Sequence, residues 1–545
     1  MLPMEEPAVG PGGPDPSADP ASSACSGCQD SRGNPTDPDA DPKLRLKPDG
    51  DSGPGAMALS AESMESGPVM TVAGSAGSPA DGAAGHAAAG CPLEPSTAVA
   101  GCPAEEATEV GDYFVAAYPP FSVWQSEHAA TFEAALKLDP SLAASPWGLA
   151  PTERPFSLYL HLPFCRQRCY YCYFRVHPAA RSVTVDEYID AALVEAALYR
   201  EHPALRGRPL RHVYLGGGTP TYLTVKQLER LIAGLRDLWS WRTVGEVTVE
   251  ADPGTVSLEK LQLLRELGVN RLSLGFQTLT PGLGFRIGRL AGRNDCIQAY
   301  WLARTAGFEN INIDMLAGLQ GEILESWVWS VGQVADLEPE SITMCQLQLT
   351  HNSKYFAQKR AGRALPLPSW TAKREWVGAA FENLEKRGWK VADGYTAVRR
   401  PEAATAAYTE QVLWRGEDLL GLGESAFGML AGFNYQNSDT LETYLAPLRR
   451  QQLPIRRAYR LSDDERLRRE LLLSLKSGRV DLGRLRIRYK VDVRETFKPE
   501  FDGLVAEGLA ELRPEWVMLT RAGLLQVDAL LPRFYRKEHR GLRYT

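Results

Sequence analysis

Three cysteines lie within eight residues of this 545-residue chain, at Cys165, Cys169 and Cys172. Their spacing is C-x3-C-x2-C, and their number is the informative part. A structural zinc site closes with four protein ligands, and iron–sulfur clusters are usually held by four thiolates. A compact set of three thiolates would leave one iron of a [4Fe–4S] cluster without a protein ligand. That iron could then bind a small molecule.

An open iron beside three thiolates is typical of the radical S-adenosylmethionine (SAM) enzymes. In that chemistry the free iron binds the amino and carboxylate groups of SAM and passes one electron to its sulfonium. The spacing alone leaves two alternatives open. The cysteines could be structural, or they could belong to a zinc site whose fourth ligand lies elsewhere. The spacing favours the radical SAM interpretation.

A glycine-rich segment, GGGTPT at 216–221, is the second signal. Glycines let a backbone approach a ligand closely, because no Cβ intervenes. By itself such a segment is more often a tight turn. Here it ends the strand that follows the cysteine loop, and in that position it predicts a binding site for the amino acid part of SAM.

Short β-rich segments alternate with helical segments from residue 157 to about residue 350. The predicted strands are 157–161, 211–215, 246–250, 271–275, 310–315 and 341–347, and the predicted helices begin near Thr184, Thr224, Ser257, Asn294, Glu322 and Trp376. Such alternation predicts βα units on a parallel sheet. Six consecutive units predict an α/β fold, a partial (β/α)6 radical SAM barrel with its chemistry at the carboxyl ends of the strands.

Composition divides the chain into three predicted regions. Residues 1–112 are rich in Gly, Pro, Ala, Ser and Asp, with 4 Lys or Arg against 18 Asp or Glu. They cannot bury enough apolar surface to offset their chain entropy, so we expect a disordered acidic leader. Residues 113–350 are predicted to form the barrel. Residues 351–545 are predicted to form a C-terminal domain that is α+β or winged-helix-like.

Several partners and compartments are disfavoured by the sequence. The chain has no stretch near the roughly 20 apolar residues of a membrane span, and its acidic, proline-containing start is unlike a signal peptide. A cytoplasmic protein is therefore predicted. A reducing compartment suits an exposed cluster and argues against a disulfide framework for the nine cysteines. Because no basic run is interleaved with aromatic residues, neither a nucleic acid nor a membrane is expected as a partner.

The motifs together resemble one family. The segment 159–165, the cysteine loop and GGGTPT resemble the oxygen-independent coproporphyrinogen III oxidase family of radical SAM proteins. That family also includes haem chaperones and class C radical methyltransferases. The likeness continues at 249–254, 271–277, 292–294 and 312–319. It covers residues 155–350 well and the C-terminal half loosely.

The resemblance implies roles for individual positions. Cys165, Cys169 and Cys172 would ligate a [4Fe–4S] cluster, with one or two SAM molecules beside it. The residues implied for SAM binding are Tyr159, Tyr171, Gly217, Gly218, Thr219, Glu250, Gln277, Arg293 and Asp314. A strand-end carboxylate could instead cap the next helix. Arg293 matches the family arginine by its neighbours and Arg289 by its distance from Gln277, and we favour Arg293. No catalytic residue is predicted.

Two departures from the family pattern bear on activity. The oxidases carry a further cysteine two residues after the third, where this chain has Phe174. The haem chaperones carry an HNxxYW motif, and its nearest counterpart, 409–414, lacks the His, Asn and Tyr.

We therefore expect a radical SAM enzyme that uses a 5′-deoxyadenosyl radical to oxidise or modify a tetrapyrrole-like small molecule. A class C-type methyltransferase and a haem chaperone are the alternatives. The resemblance also implies an electron donor such as flavodoxin or ferredoxin.

Overall fold

A twelve-stranded mixed sheet organises the chain in a computed structural model that describes residues 115–138, 154–363, 366–400 and 416–542. The predicted leader 1–112 and the segment 409–414 lie outside the described residues. Among the described residues, no helix is long and apolar enough to cross a membrane.

Six parallel strands in chain order form the centre of this sheet. After α1 (Ala129–Leu136), the elements are β1 (Phe156–Leu162), α2 (Ser182–Glu201), β2 (Leu210–Gly217), α3 (Val225–Leu238), β3 (Glu246–Ala251), α4 (Leu258–Glu266), β4 (Arg271–Gln277), α5 (Leu283–Arg286), α6 (Arg293–Thr305), β5 (Asn310–Ala317), α7 (Leu324–Asp336) and β6 (Ser341–Gln346). Each strand pairs in parallel with the next. The predicted α/β fold of six βα units is confirmed.

The two faces of the parallel strands differ in polarity. On β1, Leu158, Leu160 and Leu162 are buried in the main apolar core. Side chains alternate along a strand, so the residues between them lie on the opposite face. That face is polar, and Ser157 on β1 hydrogen-bonds His212 on β2 at 3.0 Å. The strands therefore present a polar face on one side and an apolar face on the other.

Strands from beyond residue 350 extend both edges of the same sheet. They follow α8 (Lys354–Arg360) and α9 (Trp370–Lys386) and are β7 (Lys390–Val391), β8 (Thr396–Val398), β9 (Asp418–Leu422), β10 (Phe427–Leu430), β11 (Phe433–Asn437) and, after α10 (Leu441–Leu448), β12 (Ile455–Arg460). Strand β9 pairs in parallel with β1, and β8 pairs antiparallel with β6. The division at residue 350 stays a prediction, although strands from both sides of it share one sheet.

The last part of the chain has its own apolar core and a small antiparallel sheet. Its elements are α11 (Asp463–Leu475), β13 (Arg479–Asp481), α12 (Leu482–Tyr489), α13 (Val493–Thr496), α14 (Lys498–Ala506), β14 (Ala510–Leu512), β15 (Trp516–Leu519), α15 (Arg521–Leu525) and α16 (Val527–Leu530). The strand order is β13-β15-β14. Helices with a three-stranded sheet are the elements that a winged helix combines. Leu471, Phe501 and Phe534 are fully or almost fully buried in this core.

The first residues of three helices show where local sequence signals are enough to predict a helix start and where they are not. Thr224 and Gln227 form the predicted capping box of α3, each side chain bonding the other's backbone N–H. The start predicted at Thr184 is wrong, because α2 begins at Ser182. Its first turn is held from outside the helix, since the Gln227 amide donates to Ser182 Oγ at 3.1 Å. Helix α9 begins at Trp370 rather than at 376, because the Ser369 side chain caps it.

Candidate cofactor-binding site

A cavity of about 400 Å³ lies at the carboxyl ends of the parallel strands. Its wall includes residues from the ends of β2, β3, β4, β5 and β6 and from the cysteine loop. The predicted site residues that line it are Cys165, Cys169, Cys172, Tyr171, Gly217, Gly218, Thr219, Glu250, Gln277 and Asp314. Tyr159 and Arg293 are not among the residues that line it. The location agrees with the prediction that the chemistry lies at the strand ends.

The cysteine loop directly follows β1 and is fastened to two other parts of the chain. The backbone N–H of Tyr170 donates to Ile287 O at 2.9 Å, and the N–H of Tyr355 donates to Tyr170 O at 3.0 Å. The Thr219 hydroxyl donates to Cys165 Sγ at 3.4 Å, so the glycine-rich segment touches the first cysteine. These contacts hold the loop in the cavity wall.

The thiols of Cys165 and Cys172 hold their protons more strongly than exposed thiols do. Burial raises the pKa of Cys165 to about 12 and that of Cys172 to about 11, and neighbouring cysteines add to both shifts. A thiol must lose its proton to ligate iron, so binding at this loop releases protons.

The donor set fits a cluster with three protein ligands. In the described ranges, no three His, Cys, Asp or Glu side chains converge to hold a single metal ion. A [4Fe–4S] cluster does not require such convergence, because each thiolate binds a different iron. The three loop thiols line one cavity. Cys345 also lines it; burial raises its pKa to about 12, and the charged groups that act on it are carboxylates and Lys476, none of them a loop cysteine.

Packing against β1 requires glycine at Gly217 and Gly218, in addition to the close approach to a ligand that glycines allow. Gly217 has φ +107°, and a Cβ there would lie 2.4 Å from His161 Nδ1. A Cβ on Gly218 would lie 2.8 Å from Leu162 O and from Phe164 O. The N–H of Gly218 donates to Leu162 O at 2.9 Å. The tight-turn interpretation therefore holds too, because the backbone that lines the cavity is pressed against β1.

His161 supplies an orphaned polar atom beside these glycines. Its Nδ1 lies 2.9 Å from the Tyr159 hydroxyl, and its Nε2 is buried without a hydrogen-bond partner in the described part of the chain. Burial lowers the pKa of His161 to about 4, so the ring is neutral near pH 7. Tyr159 packs beside Tyr214 and Leu419, and its predicted contact with SAM stays a prediction.

Glu250 connects the end of β3 to the glycine-rich segment. Its Oε2 accepts the N–H of Gly217 at 2.9 Å, and its Oε1 accepts the Tyr214 hydroxyl at 2.8 Å. Burial, with a smaller contribution from the charge of Asp314, raises the pKa of Glu250 to about 7. The helix-cap alternative applies instead to Asp252, whose side chain accepts the N–H of Gly254 at 2.9 Å.

The ends of β4 and β5 carry the other two predicted polar groups. Asp314 accepts the Ser273 hydroxyl at 2.8 Å and the Asn312 amide at 2.7 Å, and burial raises its pKa. Gln277 has φ +67°, a left-handed backbone that a non-glycine residue adopts only when its surroundings impose it. Both side chains line the cavity, where they can hydrogen-bond a polar ligand.

The structure separates the two candidate arginines. The Arg293 guanidinium donates to Gln333 Oε1 at 2.9 Å and lies over the Trp329 ring, away from the cavity lining. Arg289 lines the cavity, and its side chain is only 5% exposed. It donates to Asp252 Oδ2 at 2.8 Å, to Gly275 O and to the Tyr171 hydroxyl. The fold therefore places Arg289, and not Arg293, in the cavity wall, contrary to the preference for Arg293 that the sequence suggested.

One wall of the cavity comes from residues that the sequence did not indicate. Residues 524–529, Trp370 and Arg374 line it. The Gln346 amide donates to Leu525 O at 2.9 Å, across 179 residues of chain. No local pattern marks such a long-range contact. Asp252 lies in the segment 249–254 that resembles the family. The Asp252-Pro253 pair, two residues after Glu250, was the sequence signal that could have identified Asp252 as a site residue.

Comparison with known proteins agrees with this geometry. Residues 159–331 match the model of the Radical SAM superfamily. The oxygen-independent coproporphyrinogen III oxidase of Escherichia coli (strain K12) is 30% identical over 69% of this chain and 81% of that protein. The heme chaperone HemW of Bacillus subtilis (strain 168) is 30% identical over 68% of this chain and 96% of that protein.

A solved structure gives the same result. The coproporphyrinogen III oxidase HemN from Escherichia coli, a radical SAM enzyme, superposes with a TM-score of 0.66 at 26% identity. The match covers 77% of this chain and 96% of the other.

Proposed function

Because this chain belongs to the oxygen-independent coproporphyrinogen III oxidase family of radical SAM proteins, whose cofactors are a [4Fe–4S] cluster and SAM, we propose that it is a radical SAM enzyme acting on a tetrapyrrole-like small molecule. The relatives include both an oxidase and a haem chaperone, so membership of the family does not by itself decide the activity.

The observation that carries this proposal is the shared cavity. The three loop cysteines, the backbone at Gly217, the carboxylate of Glu250 and the guanidinium of Arg289 all line the same space. Thiolates suit the cluster. Peptide groups, carboxylates and a cation suit the amino, ribose and carboxylate groups of SAM. A structural role for the cysteines would not require polar groups from several strand ends beside them.

When bound, the cluster and SAM would supply the reactivity, the cluster as a one-electron reductant and SAM as the source of a radical able to take a hydrogen atom from carbon. The chain contributes position and exclusion of water. Asp252 and Gly275 hold the Arg289 guanidinium, and Tyr214 and the Gly217 N–H hold the Glu250 carboxylate. Residues 524–529 and Trp370 form part of the cavity wall.

Phe174 distinguishes this chain from the oxidases of the family. Its ring lines the cavity and packs against Tyr173, with ring centroids 4.3 Å apart, and against His161 at 5.7 Å. An apolar ring occupies the position of the extra cysteine, so we propose oxidation or modification other than the decarboxylation of coproporphyrinogen. Methyl transfer with a second SAM is the related alternative within the same enzyme class.

Anaerobic reconstitution with iron and sulfide tests the proposal. We expect about four irons per chain and release of 5′-deoxyadenosine from SAM under reduction. Cys169→Ala should abolish both, whereas Cys296→Ala, which removes a buried cysteine of α6 outside the cavity lining, should retain both. An iron-free protein with full activity would refute the proposal, as would unchanged iron content in the Cys169 variant.

Haem binding without chemistry is the second candidate, and the 96% coverage of the HemW chaperone favours it. The partial counterpart of the chaperone motif at 409–414 lies outside the described residues. Titration with haem, followed by absorbance, separates the two functions. Tight stoichiometric binding without 5′-deoxyadenosine release would indicate the chaperone. Release of 5′-deoxyadenosine without stable haem binding would indicate the enzyme.

A further inference from the structure

One thiol in the cavity wall has no role in holding a cluster. Four of the described cysteines line the cavity, and the cluster would use the three of the loop. Those three lose their protons when they ligate iron. Cys345, near the carboxyl end of β6, keeps its proton at neutral pH because burial raises its pKa to about 12. Cys345 is therefore the cavity cysteine whose S–H bond remains in the loaded protein.

Cys345 lies close to Asp314, one of the residues predicted to bind SAM. Side chains alternate along β6, so Cys345 and Thr343 share the polar face of that strand. The Thr343 hydroxyl donates to Asn312 Oδ1 at 3.0 Å, and the Asn312 amide donates to Asp314 Oδ1 at 2.7 Å. Asp314 pairs with Thr343 in the register of β5 and β6, and Asp314 and Cys345 both line the cavity. The thiol is therefore two residues further toward the strand ends than Asp314, on the neighbouring strand.

Tyr395 carries the other oxidisable group beside Cys345. Its carbonyl oxygen accepts the Met344 N–H at 2.7 Å, which places it next to the end of β6. Its hydroxyl donates to Asp528, whose carboxylate lies 2.8 Å from Lys476 Nζ. The phenol hydrogen is therefore directed at a carboxylate. Of the two groups, the thiol is the better placed to give a hydrogen atom to a ligand.

An unsatisfied donor in the same wall indicates a polar ligand in this cavity. The Arg289 side chain is only 5% exposed and lines the cavity, and its Nε has no hydrogen-bond partner in the described part of the chain. Buried polar groups are normally hydrogen-bonded, so this donor calls for an acceptor from a ligand. A carboxylate such as that of SAM is a suitable acceptor.

The volume of the cavity limits what can lie beside SAM. At about 400 Å³ it is near the lower end of the range for pockets that hold drug-sized ligands. A ligand of the size of SAM would occupy most of it. A tetrapyrrole-like substrate is larger than SAM and does not fit into the remaining space. A group in the wall is then needed to carry a radical from the cofactor to the substrate.

We propose that Cys345 is this relay: its thiol gives a hydrogen atom to the radical derived from SAM, and the resulting thiyl takes a hydrogen atom from the substrate. This inference rests on the proposed function, because it assumes that SAM is cleaved. In the first step the S–H bond breaks, the C5′–H bond of 5′-deoxyadenosine forms, and the sulfur keeps the unpaired electron. In the second step a substrate C–H bond breaks and the S–H bond forms again. The unpaired electron then stays on the substrate carbon, and neither step consumes a proton, an electron or a co-reactant.

Deuterium labelling tests the relay without any substrate. Thiol hydrogens exchange with solvent, so the reconstituted wild type in D₂O, with SAM and dithionite, should release 5′-deoxyadenosine that carries deuterium. Cys345→Ser is nearly isosteric, but its O–H bond is too strong to give up a hydrogen atom. It should lower the deuterated fraction by at least about fivefold. Cys296→Ala, which removes a buried cysteine outside the cavity lining, is the control and should keep the wild-type fraction.

Alkylation locates Cys345 relative to SAM without turnover. In the cluster-loaded protein without reductant, iodoacetamide should modify Cys345, which is partly exposed. SAM at ten times its Kd should slow this modification by about tenfold, because the site is then free only about a tenth of the time. Peptide mass spectrometry identifies the modified residue. Cys296, which is 1% exposed, should react slowly with or without SAM.

The outcomes separate the relay from the proposed function. Equal deuterated fractions in the wild type and Cys345→Ser would overturn the relay, as would alkylation of Cys345 that SAM does not slow. Unlabelled 5′-deoxyadenosine from the wild type would overturn the relay and leave the enzyme standing. Loss of label in Tyr395→Phe, with Cys345→Ser unchanged, would assign the relay to the phenol instead. A cluster-loaded wild type that releases no 5′-deoxyadenosine would refute the enzyme and the relay together.

Discussion

Arg289 and Asp252 form an ion pair in the cavity wall, with Nη2 2.8 Å from Oδ2, and so tie the segment after α5 to the end of β3. The Asp252 carboxylate also accepts the N–H of Gly254, so the partner of Arg289 is itself held in place. A guanidinium fixed in this way presents its remaining N–H groups in a set direction. Lysine cannot reproduce the planar fork of donors.

Arg289→Lys should therefore weaken SAM binding to the reconstituted protein by at least about tenfold. Arg293→Lys should change it by less than about twofold, since Arg293 contacts Gln333 outside the cavity lining. Equilibrium dialysis with labelled SAM measures both. If SAM affinity falls more in the Arg293 variant than in the Arg289 variant, Arg293 is the SAM-binding arginine, as the sequence around it predicted.

Gly217→Ala should destabilise the protein and impair SAM binding. Its φ of +107° strains any other residue, and the new Cβ would overlap His161. We expect a loss of at least about 2 kcal/mol in the free energy of unfolding. Gly268→Ala is the matched control, because Gly268 has φ +94° but open space around its Cβ position. It should show the cost of strain alone, about 1 kcal/mol, with SAM binding retained. Equal effects of the two variants would contradict the packing argument.

Glu195 makes stability depend on pH. Its carboxylate is fully buried and accepts hydrogen bonds from Gly423 N–H, Asn437 Nδ2 and the Tyr444 hydroxyl. Burial raises its pKa from 4.5 to about 7. Because the folded-state pKa is the higher one, its contribution to stability is fully present below about pH 4.5. That contribution is lost as the pH rises through 7.

Relative to Glu195→Gln, the wild type should lose about 3 kcal/mol of unfolding free energy between pH 5 and 8. Any pH-independent effect of the glutamine side chain on the unfolding free energy cancels, because only the change of the difference with pH is compared. Glu442→Gln, at an exposed position on α10, is the control and should follow the wild-type pH profile. Urea unfolding at each pH supplies the values. A constant difference between wild type and the Glu195 variant would show that this carboxylate does not titrate in that window.

Asp528 and Lys476 form a second buried ion pair, at 2.8 Å, with the Lys476 side chain fully buried. Asp528 also accepts the Val115 N–H at 3.0 Å and the Tyr395 hydroxyl. Asp528→Asn removes the carboxylate paired with a buried ammonium and should cost about 3 to 5 kcal/mol in unfolding free energy.

The exposed pair of Lys498 and Asp502 provides the comparison for Asp528. Asp502→Asn should cost no more than about 1 kcal/mol. Urea denaturation measures both variants. If Asp528→Asn costs as little as the exposed variant, the wall at 524–529 is not held by this pair.

Local patterns predicted those parts of the molecule that neighbouring residues determine. The six strands, the capping box of Thr224 and the positions of the three cysteines depend on residues close in sequence. The choice between Arg289 and Arg293 does not, because it depends on which guanidinium reaches Asp252, 37 residues away from Arg289. The 524–529 wall depends on pairing between Gln346 and Leu525, which no periodicity encodes.

The pairing of β1 with β9 places Phe156 beside Asp418. On a ribosome, the first strand and its cysteine loop emerge long before β9 is made. At typical synthesis rates the delay is on the order of tens of seconds. During that interval one edge of β1 is an open template for pairing with other nascent chains. We therefore expect β1 and the cysteine loop that follows it to reach their final packing only after β9 has been synthesised.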